Sequence, residues 1–475
     1  MSAVCIRKPD SRERVSSLTA SNVTVSPNDV LAAITEHYLS SHDINGISTE
    51  QLAQTVGLAC PTLRDEELMI LLKDNRDQQT FEVAWRTLYD PLHRLISEGK
   101  VGALFIETDV NPHIIRIGFE PVETQLVRLA TCDQYHTCFY PRPAHLQFVV
   151  DWGSYASEPY RLCLALGEAQ LAYRAFDLSV LEIYRNDPRY YYRTNDVSGR
   201  IYIKTEAYQS RDFPESDKIL LESFGFAYDQ NFNRAVSVFL RYLMGLSPSH
   251  QQIWKAKELS GAYNLHPDYY GLSVIGTMPE GNSIFAGFLA ELARINRIAK
   301  AMGRQRLFVE DYSVNSEGKP RNFGFLIRPT LEECNAFVLT LDKLLSENIN
   351  RGFFGNDIGF ETETVRSDGK IIVQQKGSLR ILDEWVRDVL RPSNLEPWRV
   401  ADNTLRTVRR LRQRPAHALD TNVFDQKYIG DQRDLIVEAY MAVRTLREAL
   451  EAHPAAAKAE MKVPRWVEAG KIWIR

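Results

Sequence analysis

The sequence predicts an α+β multidomain chain that is mostly helical, and three observations predict it. Its 475 residues exceed what one hydrophobic core holds, which points to about two to four domains. Residues 25–120 read as short helices followed by paired strands, while residues 329–455 carry apolar side chains at helical spacing with mostly short joints, the pattern of an up-and-down four-helix bundle. Residues 121–328 mix both periodicities. Residues 1–24 are expected to be a flexible leader and 456–475 a C-terminal tail.

The first helix starts at Ser26-Pro27-Asn28-Asp29. Ser26 can cap it, Pro27 suits its first position and Asp29 favours its positive end. Leu31, Ile34 and Tyr38 form its apolar face. Ser48-Thr49-Glu50-Gln51 has the spacing of a capping box. A helical stretch is expected around Leu68–Leu72, and a last short helix from Asp90-Pro91 to Gly99. Strands are expected at Val101–Ile106 and Ile114–Ile117. Helices followed by a hairpin predict a winged-helix-like domain, whose docking helix offers only His93, Arg94 and Lys100. Protein contacts suit it better than nucleic acid.

In the middle region, Tyr135–Tyr140, Leu146–Trp152 and Ile201–Tyr208 read as strands. Tyr160–Tyr184, Asn233–Met244, Pro248–Leu259 and Ser283–Met302 read as helices. Arg306–Tyr312 and Asn322–Ile327 read as a hairpin joined by Asn315-Ser316-Glu317-Gly318. Tyr184–Arg193 interleaves arginines and tyrosines, which serves either single-stranded nucleic acid or ordinary interfaces. In the last third, helices are expected at Leu331–Ile349, Ser378–Leu390, Pro397–Leu411 and Asp431–Ala452, with a hairpin inserted near residues 355–375.

Hydrophobic residues make up 44%, charged residues 25%, and the net charge is -4. This is ordinary globular composition, and it excludes a uniformly basic coat, so any polyanion site must be local. The scattered cysteines fit reduced intracellular thiols. Cys132, His136, Cys138 and His145 bring metal-binding residue types together, but their spacing fits no familiar zinc module. Neither metal nor cofactor is expected. The N-terminus has no apolar run suited to a signal peptide, and no segment reaches membrane-spanning length, so the expected location is the cytoplasm.

The chemistry concentrates where the third bundle helix ends. Arg399, Asn403, Arg406 and Arg410 share one stripe, which runs into Arg412-Gln413-Arg414-Pro415-Ala416-His417. Pro415 cannot continue that helix comfortably but can begin the next, placing His417 in a first turn. Metal-free RNA cleavage needs a proton carrier near neutral pH, which histidine supplies. It also needs a fixed cation for the pentavalent phosphate, which arginine supplies.

An arginine, a short spacer and a histidine, set in a four-helix bundle before a long closing helix, resemble the catalytic core of the HEPN superfamily (higher eukaryotes and prokaryotes nucleotide-binding domains). The resemblance covers the last third of the chain, from Arg406 to Ala452 at its most specific. It departs from the family at Gln413, where Asn, Asp or His is usual. It implies a metal-independent endoribonuclease in which His417 is the acid/base and Arg412 holds the phosphate. Arg410 is a rival for that arginine. Arg399, Arg406, Arg410, Gln413 and Arg414 would bind substrate. It further implies a composite site across a homodimer or higher oligomer, with RNA as substrate. The biological setting would be antiviral, abortive-infection or toxin–antitoxin, with a regulatory protein or nucleic acid as trigger. The competing reading is a non-catalytic regulator that binds nucleic acid or protein through the winged helix and dimerises through the bundle. In that reading the arginines only complement the helix dipole.

Overall fold

The computed structural model describes residues 24–61, 75–131, 134–279, 281–312, 319–320, 322–365, 367–368, 371–413, 421–457 and 465–474. The architecture is α+β, with helices predominating over four small sheets among these residues. It divides into two units, Met1–Tyr155 with Leu162–Ala172, and Ala156–Arg161 with Tyr173–Arg475.

In the first unit, α1 (Pro27–Ser40) begins with the expected capping box between Ser26 and Asp29, and α2 (Thr49–Thr55), preceded by β1 (Ile47–Ser48), begins with the one between Ser48 and Gln51. The stretch Leu68–Leu72 lies outside the described residues. The short helix expected from Asp90 is the end of one long helix, α3 (Asn75–Ser97), with Pro91 inside it. Pro91 removes one backbone donor, yet Leu88, Leu92 and Leu95 continue a single buried stripe across it. That packing outweighs the local stop signal. Gly99, at φ 66°, ends the helix where expected.

Strand β2 (Val101–Leu104) is shorter than expected, and its partner is not Ile114–Ile117 but β3 (Cys138–Pro141). Ile115 is buried, and its N–H donates to the Gln170 side chain at 2.7 Å rather than to a strand. Between β2 and β3 lies α4 (Val122–Thr131), whose buried Gln125 accepts the Ala103 N–H at 2.9 Å. The sheet is antiparallel in the order β1-β3-β2. Leu146–Trp152, expected as a strand, is mostly helix α5 (Pro143–Val149), with Pro143 in its first turn.

In the second unit, an antiparallel sheet contains β4 (Tyr173–Phe176), β5 (Tyr190–Thr194), β6 (Ser198–Ile203), β7 (Leu220–Tyr228) and β8 (Arg234–Phe239), in the order β4-β8-β7-β6-β5. Three expectations are corrected here. Tyr160–Tyr184 is not one helix: the helix Pro159–Ala165 stops before Gly167, at φ 89°, and β4 follows. Asn233–Met244 is β8 plus a one-turn helix, Leu240–Met244. Short apolar runs carry no decisive periodicity, and β8 is buried on both faces. The strand beginning near Ile201 ends at Ile203, where Lys204 leads into the helix Thr205–Gln209.

Five long helices share the largest core: α6 (Ile284–Ala301), α7 (Leu331–Asp342), α8 (Ser378–Trp385), α9 (Glu396–Gln413) and α10 (Lys427–Glu451). Phe288, Leu341, Trp385, Trp398 and Ile436 lie at its centre. The sequence expected four bundle helices. The fifth, α6, was assigned to the middle region but packs in the same core. The inserted hairpin is present as β9 (Glu361–Val365) paired with β10 (Ile371–Gln375). The other expected hairpin is not formed by Arg306–Tyr312. The Asn296 side chain takes the Phe308 N–H and C=O, each at 2.8 Å, and the Asn348–Asn350 backbone takes Leu307 and Val309. Its turn, Asn315–Gly318, lies outside the described residues. No helix among the described residues is long and apolar enough to cross a membrane.

Candidate active site

Helix α9 is amphipathic for its whole length, with Trp398, Ala401, Leu405 and Val408 buried. Its polar face therefore carries the arginines the sequence singled out. At its start, Arg399 donates to Glu396 at 2.6 Å. Arg406 donates to Asp402 at 2.7 Å, and Asp383 lies 3.7 Å away. Arg410 donates to Thr407 Oγ1 at 2.9 Å. Gln413 is exposed at the end of the helix. Arg414 and His417 lie outside the described residues.

Arg412 occupies a more structured position. Helix α7 passes into a π-helical turn, Lys343–Glu347, and π-turns widen a helix locally. The turn is flanked by Asp342 and includes Ser346 and Glu347. Asp342 is 1% exposed, although carboxylates are rarely buried without partners. Its partners are Ser346 Oγ at 2.6 Å and Arg412 Nη1 at 2.8 Å. Glu347 accepts from the same Arg412 nitrogen. Arg409 adds a bond to Ser346 Oγ at 2.7 Å. Hydrogen bonds that it donates to Asp342 and then Glu347 hold the Arg412 guanidinium above its ordinary pKa, so its charge is permanent.

Two chemical consequences follow. The stripe on α9 does not present bare positive charge, because Arg399, Arg406 and Arg412 each arrive with a carboxylate. Arg412 is nonetheless fixed in orientation and 31% exposed, and among the described residues its contacts engage Nη1 only. A guanidinium held from behind by a buried acid can still offer its other nitrogens forward.

The sequence reading did not single out Asp342, Ser346, Glu347 or Arg409. The signal for Asp342 was present: it follows Leu341 on the apolar stripe of its helix, where an acid has no place without a cation. Nothing in the sequence pairs it with an arginine 70 residues later.

The other singled-out segments are structural. Tyr184 is buried, its hydroxyl 2.7 Å from His250 Nδ1 and accepting from Trp254 Nε1 at 2.9 Å. Arg185 pairs with Glu333 and Asn322, and Arg189 with Asp187. Asn186, Pro188 and Arg189 are exposed, and Tyr191, Tyr192 and Arg193 are half-buried. Cys132 lies outside the described residues, and Cys138 is buried against His113 at 3.4 Å. A second Arg-Pro-Ala-His string, Arg142–His145, starts α5, with His145 Nε2 3.1 Å from Thr35 Oγ1. Among the described residues no three His, Cys, Asp or Glu side chains form a metal-ligand set. No family model, curated protein or solved structure matches this chain.

Proposed function

We propose that the protein is a metal-independent endoribonuclease of HEPN type, with Arg412 as the phosphate-binding cation and His417 as the acid/base. The observation that carries this reading is the clasp on Arg412. A buried carboxylate, Asp342, and its neighbour Glu347 fix one guanidinium nitrogen at the point where α9 leads toward His417. Orienting a catalytic cation in advance is how a site stabilises charge that develops only in the transition state. In the reaction, the RNA 2′-oxygen loses its proton to histidine and attacks phosphorus. The bond to the 5′-oxygen breaks, that oxygen takes up a proton, and a 2′,3′-cyclic phosphate and a 5′-hydroxyl remain. One histidine per chain supplies half of this acid–base work, so the active form is a dimer or higher oligomer. The setting that fits is an antiviral or toxin-type effector, triggered by a protein or nucleic acid.

Inducible expression of the wild type, His417→Ala and Arg412→Ala, followed by total RNA, tests the reading. Loss of intact RNA with the wild type alone is expected. Intact RNA and normal growth with all three contradict it.

One observation favours the second reading, a non-catalytic regulator. In the first unit, α1, α2 and α3 pack beside the antiparallel sheet β1-β3-β2, which supports a winged-helix-like reading, with α4 in place of a hairpin between β2 and β3. The exposed side of α3 mixes Glu82, Arg86, Asp90, His93 and Arg94, which suits a protein partner better than a phosphate backbone. Under that reading His417→Ala leaves the phenotype unchanged.

A further inference from the structure

The second unit contains a large cleft, remote in sequence from the Arg412 clasp and not assigned by the proposed function. Its volume is about 1270 Å³, above the 300–1,000 Å³ typical of small-molecule sites. One wall is the β5–β6 hairpin and the other is the side of α6 that carries Arg297 and Lys300, with the segment that follows it. Ala286, Ala290 and Ala293 recur along that face of α6 and leave room at the floor.

Seven cationic side chains line the cleft against three carboxylates, in a chain whose net charge is -4. Two of the carboxylates are buried and already engaged. Asp196, at the tip of the β5–β6 turn, accepts from Ser283 Oγ at 2.7 Å and Lys319 Nζ at 3.0 Å. Asp311 accepts from Asn296 at 2.7 Å. Ser283 thus fastens the hairpin to the start of α6, Lys319 is spent on the same carboxylate, and Arg304 pairs with Asp357 at 2.7 Å.

Three cations of the α6 wall differ from those on α9. Arg297 and Lys300 are neighbours on the exposed face of α6, and Arg306 follows on the next segment. Among the described residues none of the three has an ion-pair partner. On the opposite wall, Arg193 and Arg200 are cross-strand partners. Like charges facing each other across a ladder cost stability. Part of that cost is met by stacking, with Arg193 5.2 Å from the Tyr191 ring centre and Arg200 5.9 Å from that of Tyr202. Cations on both walls of a cleft this large, with Tyr192 and Tyr312 in its lining, suit a flexible phosphate backbone with unpaired bases.

We propose that this cleft binds single-stranded nucleic acid, with backbone phosphates between Arg193 and Arg200 on one side and Arg297, Lys300 and Arg306 on the other. The proposal does not rest on the cleavage chemistry. The test is fluorescence anisotropy of the full chain with a labelled, 2′-O-methylated oligouridylate of about 12 nucleotides. Such a strand cannot be cut by its own 2′-oxygen, so binding is read apart from catalysis. The expected result is salt-dependent binding that weakens about tenfold or more in Arg297→Gln/Lys300→Gln, with a salt slope shallower by about 1.4 for the two lost phosphate contacts. Arg306→Gln, on a different segment, is expected to weaken binding in the same direction. Arg433→Gln, on the solvent side of α10 and outside the cleft lining, should bind as the wild type does. The proposal is overturned if the wild type does not bind near 0.1 M salt, if the cleft variants bind like the wild type, if a duplex binds more tightly than the single strand, or if inorganic phosphate at equal concentration displaces the strand.

Discussion

Asp342 is a buried acid whose charge has meaning only in company. Removing one member of a buried ion pair leaves the other uncompensated and costs about 3–5 kcal/mol, and the partial exposure of its arginines reduces that here to about 2 kcal/mol. Asp342→Ala should therefore lower unfolding free energy by about 2 kcal/mol in chemical denaturation. Asp342→Asn should keep more of that stability but release Arg412, so RNA cleavage falls about tenfold or more while strand binding in the cleft is unchanged. A variant that cleaves at the wild-type rate would show that the clasp has no part in catalysis. Gln413, Arg399, Arg406 and Arg410 are weaker candidates at this scale. The three arginines are already bonded within the fold, so their phosphate contacts would first have to displace Glu396, Asp402 or Thr407.

Among the elements, the β9–β10 hairpin makes the plainest forecast. Almost all its side chains are exposed, and its ends are already joined by Lys376 N–H donating to Phe360 C=O at 2.8 Å. Replacing Glu361–Gln375 with a tight Asn-Gly turn should change thermal stability by less than about 1 kcal/mol; a large loss would mean that the hairpin packs on something essential. The long elements were also the ones readable in advance. Helices α6 to α10 bury broad apolar stripes, and the 3.6-residue period shows in each. Capping residues located the starts of α1 and α2 because a cap is a local bargain between neighbours. The regions around 105–260 and 306–312 resisted for the opposite reason. Ile115 takes its bond from the Gln170 side chain, β8 is buried on both faces, and Leu307–Val309 is held by Asn296 and Asn348–Asn350. None of those partners is near in sequence. The same holds for the site: Arg412 at a helix end was legible, and the acid that orients it was not.

At the scale of the whole molecule, burial sets the response to acid. His37, His145, His250 and His266 are each held below the ordinary value of 6.5, chiefly by desolvation. Their folded forms resist protons that the unfolded chain accepts, so stability is complete above that value and declines as the pH falls through it. Melting temperature should drop steadily between about pH 7 and pH 5 at constant ionic strength, and a flat or rising profile would contradict this. The larger claim is that one chain joins a nucleic-acid cleft to a metal-free cleavage centre. It is tested most directly by incubating purified protein with RNA in excess chelator and analysing the product ends. Cleavage by the wild type is expected to leave 2′,3′-cyclic phosphate and 5′-hydroxyl ends, with none by His417→Ala or Arg412→Ala. Intact RNA with the active oligomer, or equal cleavage by all three proteins, would contradict it.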